Sequence, residues 1–131
     1  MTPENLAKLA VEAMQGAYAR YSGYKVGAAL LCADGTVYTG CNIENASYTP
    51  TVCAERTAFF KAVSEGKREF SAIAVCGGKG GVIEGFFPPC GVCRQVMREF
   101  CKDDFLVHML GANGEIKTRT LAQLLPESFA L

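Results

Sequence analysis

The sequence has no net charge, no long apolar run and only one histidine. Its 13 Lys and Arg residues balance 13 Asp and Glu residues. Without a net charge there is no long-range field to collect polyanions, so we expect neither a nucleic-acid nor a membrane partner. No apolar run approaches the roughly 18 residues of a membrane span. The first residues also lack the basic and apolar regions of a signal peptide, so we expect a cytoplasmic protein.

What the chain does contain is enough apolar material for one folded domain. Half of its 131 residues are apolar, and a chain of this size buries roughly two-thirds of its unfolded surface. We therefore expect one domain over residues 1–131 and no intrinsic disorder. The seven cysteines are an odd number in a chain with no sign of export. This favours metal binding or catalysis over a disulfide framework.

Hydrophobic periodicity and turn residues predict alternating helices and strands, in the order α-β-β-α-β-α-β-β-α. That order predicts an α/β sandwich in which helices cover a mixed sheet. The glycine-rich segment after residue 76 reads as a flexible insertion. Predicted helices cover residues 3–19, 53–65, 90–100 and 120–125, and predicted strands cover 26–32, 36–41, 70–76, 105–110 and 116–119.

Two cysteine motifs begin the two interior helices of this pattern. One is Cys-Ala-Glu-Arg at residues 53–56, and the other is Pro-Cys-Gly-Val-Cys at residues 89–93. Both helix starts are expected outside the carboxyl ends of the strands, where three thiols can converge on one zinc ion. His108 is predicted on a distant strand, and three ligands with an open position are typical of catalytic zinc. Glu55 lies close enough to serve as a proton carrier at the open position.

Two other interpretations of these motifs remain open. Residues 90–93 could form a thioredoxin-like redox pair, which would leave the Cys-Ala-Glu motif without a purpose. A zinc ion could also be purely structural. The protein would then be a binding module, and Glu55 would have no role beside the metal. The cysteines outside the two motifs read as small buried hydrophobes, namely Cys32, Cys41, Cys76 and Cys101.

The combined motifs resemble the small homotetrameric cytidine deaminases, a family of zinc-dependent nucleoside deaminases. The resemblance runs from about residue 17 to residue 129 and includes Val-Gly-Ala-Ala-Leu at 26–30, Cys-Asn-Ile-Glu-Asn-Ala-Ser-Tyr at 41–48, and both cysteine motifs. It implies a three-layer α-β-α sandwich with a mixed five-stranded sheet. It also implies one Zn²⁺ per chain, held by Cys53, Cys90 and Cys93, with Glu55 as the proton shuttle.

The reaction implied by this resemblance is the hydrolytic deamination of cytidine and 2′-deoxycytidine, a step of pyrimidine salvage. The products are uridine or 2′-deoxyuridine, and ammonia. By the same resemblance Asn42 and Glu44 contact the ribose, while the backbone at Ala54 holds the base edge. Tyr24 stands where the family usually has a pocket phenylalanine.

Further family features concern assembly and metal charge. Tyr48 and Phe129 correspond to aromatic residues that reach a neighbour's site, which implies a homotetramer with shared sites. Arg56 is expected beside the cysteine sulfurs, where a guanidinium withdraws the excess negative charge of three thiolates.

Two related activities are kept as alternatives. Blasticidin-type deaminases share the size and the zinc motif, but the Asn42, Glu44 and Asn45 stretch favours an unmodified ribose. A polynucleotide deaminase would need a basic stripe, and none is visible.

Overall fold

Helices and strands alternate along the chain in the order that the sequence predicts. The computed structural model describes all residues from Met1 to Leu131. None of its helices has the length and apolar character needed to cross a membrane. The elements are α1 (Pro3–Met14), β1 (Tyr24–Cys32), β2 (Val37–Cys41), α2 (Ala54–Ser64), β3 (Phe70–Lys79), α3 (Gly91–Phe100), β4 (Leu106–Leu110), β5 (Ile116–Thr120) and α4 (Leu121–Leu124).

The five strands form one mixed sheet in the order β2-β1-β3-β4-β5. β1 is antiparallel to both β2 and β3, β3 is parallel to β4, and β4 is antiparallel to β5. β2, β3 and β4 therefore run in the same direction. Because α2 follows β2 and α3 follows β3, both helices begin at the carboxyl edge of the sheet. This confirms the placement on which the predicted metal site depends.

Helices cover both faces of the sheet, so the predicted three-layer sandwich is confirmed. Alternate residues of a strand face opposite sides, and β1 follows this rule. Ala28 and Leu30 belong to the larger apolar cluster, which contains residues of α2 and α3. Ala29 belongs to the smaller cluster, which is built on α1.

Glycines allow close approach of helix to sheet on each face. An added Cβ at Gly27 of β1 would collide with the backbone of α1 at Ala10 and Met14. An added Cβ at Gly40 of β2 would lie 2.5 Å from the carbonyl oxygen of Ala54, at the start of α2. The glycine in β2 thus sets how closely the site-bearing helix packs on the sheet.

The first helix is shorter than predicted. It ends at Met14 rather than near residue 19. The Tyr18 N–H donates to the Asn42 carbonyl at 2.9 Å, and the Glu44 N–H donates to the Tyr18 carbonyl at 2.8 Å. Strand-like pairing of Tyr18 with residues 42–44, the segment after β2, therefore replaces the helical hydrogen bonds that Tyr18 would otherwise make.

The prediction of a flexible insertion after residue 76 is wrong for residues 77–79, which continue β3. Gly77 pairs with Val26 and Gly78 with Lys25 across β1. An added Cβ at Gly77 would lie 3.1 Å from Cγ of Phe87, and one at Gly78 would collide with the Val82 carbonyl. Glycine is needed at residues 77 and 78 because the loop after β3 folds back against the strand and leaves no room for a side chain.

Candidate metal centre and active site

Three thiols meet at the carboxyl edge of the sheet. Cys53 and Cys90 are the N-cap residues of α2 and α3, and neither side chain makes a capping hydrogen bond. The Sγ atom of Cys90 lies 3.6 Å from Sγ of Cys53 and 3.6 Å from Sγ of Cys93. All three sulfurs lie within 4.8 Å of one another, and no other group of three potential ligands in the chain converges in this way.

The spacing of the three sulfurs fits a zinc ion. Tetrahedral coordination with Zn–S bonds of about 2.3 Å requires sulfurs roughly 3.8 Å apart. The two close pairs, at 3.6 Å, are near that separation without any rearrangement of the backbone. Thiolates are ligands that zinc prefers. A set of three protein ligands that leaves the fourth coordination position open is typical of a catalytic zinc ion.

Neighbouring donors favour a thiolate at Cys53. The Cys93 thiol and then Arg56 lower the pKa of Cys53 to about 5, against the desolvation that burial imposes. The Nη2 group of Arg56 lies 3.5 Å from the Cys53 sulfur. The structure thus places Arg56 beside the sulfurs, as predicted, and a thiolate is the form that binds metal.

Glu55 lies beside the thiols with an unused acceptor. Its side chain is only 3% exposed, and burial raises its pKa to about 7. Its Oε1 atom is buried and has no hydrogen-bond partner. A buried carboxylate oxygen without a partner is costly, so this atom is arranged for a ligand. A carboxyl group that titrates near neutral pH can both accept and release a proton.

A cavity of about 240 Å³ joins this cluster to the predicted sugar contacts. Of the predicted site residues, it is lined by Tyr24, Asn42, Glu44, Cys53, Glu55 and Cys90. These side chains come from the start of β1, the segment after β2 and the two helix starts. The cavity is therefore a single site in which thiols, a carboxyl group and polar side chains face one space.

Asn42 is buried and tied to β1 by two hydrogen bonds. Its Oδ1 accepts from the Val26 N–H at 2.9 Å, and its Nδ2 donates to the Tyr24 carbonyl at 2.8 Å. A side-chain amide has two donor hydrogens and an oxygen with two lone pairs. One donor and one acceptor position thus remain for a ligand.

A main-chain group lies beside the cavity at the start of α2, and two aromatic rings line the cavity. Ala54 is the first residue of α2 and is fully buried, so its N–H is among those with no partner inside the helix. The ring of Tyr24 is tilted by 37° against that of Phe87, with centroids 6.4 Å apart. These two rings form the aromatic side of the site.

Five predicted site residues do not line the cavity, and only the last two of them are exposed: Ala54, Arg56, Cys93, Tyr48 and Phe129. Tyr48 is 79% exposed and Phe129 is 67% exposed. Tyr48 has a positive φ of 62°, a backbone conformation uncommon for a residue with a side chain. The Phe129 carbonyl accepts a hydrogen bond from Nε2 of Gln95 at 3.1 Å.

Several cavity residues were not predicted from the sequence. They are Ser22, Val26, Thr51, Val52, Phe87 and Pro88. Phe87 lies just before the Pro-Cys motif, which is the one signal that could have suggested it. Pro88 lies directly before the same motif, and Val26 opens the Val-Gly-Ala-Ala-Leu stretch. Nothing in the sequence indicates Thr51 or Val52, because their place depends on how the loops pack.

The remaining cysteines are apart from the site. Cys32, Cys76 and Cys101 are buried, and Cys41 is partly buried. Burial raises the pKa of Cys76 to about 11 and that of Cys101 to about 12. Burial and a raised pKa make Cys32, Cys76 and Cys101 inert buried fillers, as predicted, whereas Cys41 is less buried than predicted.

Comparison with known proteins agrees with this chemistry. The model of the cytidine and deoxycytidylate deaminase zinc-binding region matches residues 1–109. A cytidine deaminase of Sporosarcina psychrophila is 50% identical over 99% of this chain and 93% of its own length. The crystal structure of a cytidine deaminase from Burkholderia pseudomallei is 46% identical, with a TM-score of 0.91 over 98% of this chain and all of that one.

A relative with a different named substrate is less similar. A blasticidin-S deaminase of Bacillus cereus is 31% identical over 79% of this chain and 75% of its own length. The near-complete coverage by cytidine deaminases, together with the three convergent thiols and Glu55, identifies this chain as a member of the zinc-binding cytidine and deoxycytidylate deaminase family.

Proposed function

We propose that this protein is a cytidine deaminase. It adds water to C4 of cytidine and releases ammonia, which leaves uridine. 2′-Deoxycytidine reacts in the same way to give 2′-deoxyuridine. The observation that carries the proposal is Glu55, a buried carboxyl group with an unpartnered oxygen in the same cavity as three convergent thiols.

The proposed metal ligands are Cys53, Cys90 and Cys93, which hold one zinc ion per chain. Zinc bound at such a site acts as a Lewis acid and makes water a better nucleophile at neutral pH. Glu55 takes the proton that the attacking water loses. It delivers a proton to N3 of the base and later moves one to the amino group, which departs as ammonia.

The test is ultraviolet loss of cytidine absorbance with purified protein, alongside the zinc content per chain. We expect one zinc per chain and steady turnover. We expect Glu55→Gln to keep the zinc and lose at least 10²-fold in kcat, because general acid–base catalysis contributes about 10²–10⁴-fold. Exposed Glu99, on the outer side of α3, provides a control variant, Glu99→Gln, that should retain activity.

Other outcomes of this test would replace the proposal. One zinc per chain with turnover of blasticidin and none of cytidine would make this a blasticidin-type enzyme. Zinc without deamination of either substrate would leave a structural metal. Faster deamination of single-stranded DNA than of cytidine would make it a polynucleotide enzyme.

The substrate contacts are proposed as follows. The free donor and acceptor positions of Asn42 and the carboxylate of Glu44 hold the sugar hydroxyls. The backbone at Ala54 and the Glu55 side chain hold the base edge, and the Tyr24 ring packs against the nucleoside. We expect Asn42→Ala to raise KM more than it lowers kcat. A fall in kcat at constant KM would place Asn42 in the chemistry instead.

Arg56 is proposed to reduce the negative charge at the metal. Three thiolates and a divalent cation carry a net charge of minus one, which weakens the Lewis acid. A guanidinium next to the Cys53 sulfur draws part of that charge away through its contact at 3.5 Å.

We further propose that the active form is a homotetramer in which neighbours share sites. The exposure of Tyr48 and Phe129 supports this, as does that of Phe60 on α2 and Val92 on α3, because large exposed apolar side chains favour subunit contact. Sedimentation with an activity readout tests it. Active monomers would refute the proposal.

The proposed setting is a single domain, residues 1–131, that works in the cytoplasm in pyrimidine salvage on free nucleosides. Its seven free cysteines suit a reducing compartment. We expect one cooperative unfolding transition. We also expect expression of the chain to let cells without a cytidine deaminase use cytidine as their uracil source. No growth from an expressed, active protein would refute the salvage role.

A further inference from the structure

The Glu44 carboxylate is held by the turn that precedes β1. Its Oε1 atom accepts hydrogen bonds from the N–H groups of Tyr21 at 2.9 Å and Ser22 at 3.0 Å. Its Oε2 atom accepts one from the hydroxyl of Ser22. Donation by Ser22 and then by these backbone groups lowers the pKa of Glu44, so the side chain is ionised at neutral pH and can only accept hydrogen bonds.

The Ser22 hydroxyl joins two parts of the cavity wall. While it donates to Glu44, its oxygen accepts a hydrogen bond from the Tyr24 N–H at 3.0 Å. Ser22, Tyr24 and Glu44 all line the cavity. The hydroxyl therefore connects the carboxylate to the strand that carries the aromatic ring.

The donors around Glu44 limit what else it can accept. Each oxygen of a carboxylate has about two lone-pair sites. Both sites of Oε1 are used by backbone N–H groups, and one site of Oε2 is used by Ser22. One acceptor site on Oε2 is left for a ligand in the cavity.

We propose that Ser22 is a positioning residue, which fixes the Glu44 carboxylate so that its one free acceptor site receives a single sugar hydroxyl. The inference rests on the proposed function, because it takes the occupant of the cavity to be a cytosine nucleoside. Ser22 does not touch the reacting atoms in this assignment. It acts on the binding of the sugar through Glu44.

The first experiment compares Ser22→Ala with a matched control, Ser64→Ala. Ser64 also loses a hydroxyl hydrogen bond, a 2.7 Å contact to the Lys61 carbonyl at the far end of α2. We expect Ser22→Ala to raise KM for cytidine about tenfold and to change kcat by less than about twofold. The Glu44 carboxylate loses the hydrogen bond that fixes its Oε2 atom, so its contact with the sugar hydroxyl weakens while the reacting atoms are untouched. Ser64→Ala should leave both constants unchanged, and Ser22→Thr, which keeps a hydroxyl, should restore a KM near that of the wild type.

The second experiment separates positioning from a general loss of structure. KM, or the inhibition constant where turnover is slow, is measured for cytidine, 2′-deoxycytidine, 3′-deoxycytidine and 2′,3′-dideoxycytidine. The effect of Ser22→Ala should vanish for the analogues that lack the hydroxyl bound by Glu44, since that contact is already missing. If Ser22→Ala does not fold, Ser22→Cys, which keeps the size of the side chain but replaces the hydroxyl by a weaker donor, provides the same comparison.

Different results would refute the proposed function and the positioning role of Ser22. Wild-type protein that deaminates no cytosine nucleoside refutes the proposed function. The positioning role is refuted, and the function left intact, if the wild-type protein is active and Ser22→Ala weakens the binding of all four nucleosides equally. The same holds if Ser22→Ala lowers kcat alone.

Discussion

Substitution of Gly40 by alanine tests how the sheet positions the active-site helix. Gly40 lies on β2, directly beneath the start of α2. An added Cβ would lie 2.5 Å from the Ala54 carbonyl oxygen, 2.6 Å from the Ala58 nitrogen and 3.0 Å from the Thr57 Cβ. Two of these atoms belong to the helix backbone, so no side-chain rotation can relieve the contact.

The size of the required movement follows from those distances. Ordinary carbon–oxygen contacts are about 3.4 Å, close to the optimal separation of non-bonded heavy atoms, so the start of α2 must move by most of an ångström. Overpacking of this kind costs typically about 1–3 kcal/mol of stability. The same movement displaces Cys53 and Glu55 relative to α3. Because misplacement by about 1 Å can cost 10²-fold in rate, we expect kcat to fall by about that factor.

The assay combines urea unfolding, zinc content and kinetics on one preparation of Gly40→Ala. Gly85→Ala is the matched control, since an added Cβ there meets nothing within 4 Å. We expect the control to keep its stability and rate. If Gly40→Ala unfolds at the same urea concentration as the wild type and retains full kcat, the close packing of α2 on β2 does not position the site.

Three other variants test separate parts of the structure. Arg56→Gln should retain zinc and lose about 10–100-fold in kcat, as expected for a group that tunes a metal through its ligand; unchanged kinetics at full zinc content would remove this role. Gln95→Ala loses the 3.1 Å hydrogen bond to the carbonyl of Phe129, a residue proposed to reach a neighbouring site. It should raise KM a few-fold, roughly the worth of one neutral hydrogen bond, and leave kcat constant. An unchanged KM would show that this hydrogen bond is not needed to hold Phe129 in place. His108 is buried on β4, and burial lowers its pKa below 6.5 despite the opposing effect of Glu4. The unfolded chain therefore binds the proton more readily, so stability is complete above about pH 6.5 and falls in more acidic solution. His108→Gln should make unfolding free energy less dependent on pH between about 7 and 5, and an unchanged slope in urea titrations would contradict this.

The order of elements and the convergence of the cysteines could be predicted because each depends on local signals. Pro3 at a helix start, the Asp-Gly turn at residues 34–35 and the cysteines at two helix starts are all readable in short windows of sequence. Connectivity then places both helix starts at one edge of the sheet. No detailed knowledge of packing is needed to bring Cys53 close to Cys90 and Cys93.

The features that could not be predicted depend on contacts between distant segments. The end of α1 is set by backbone pairing of Tyr18 with the segment after β2, which no helical pattern reveals. β3 continues through Gly77 and Gly78 because the loop after it folds back on the strand. For the same reason a glycine-rich stretch that is typical of a flexible loop is part of the sheet here.

The sugar side of the cavity shows why residue type alone is a weak guide to a binding role. Asn42 and Glu44 are polar residues of a kind common in turns. Each one already makes hydrogen bonds to the backbone that would account for its presence as a structural residue. What distinguishes them is the capacity that remains: Asn42 has a donor and an acceptor to spare, and Glu44 has one acceptor. A binding role therefore becomes visible only when the hydrogen bonds of each group are counted against its capacity. By the same count the unpartnered Oε1 of Glu55 is the group in the cavity that most requires a ligand.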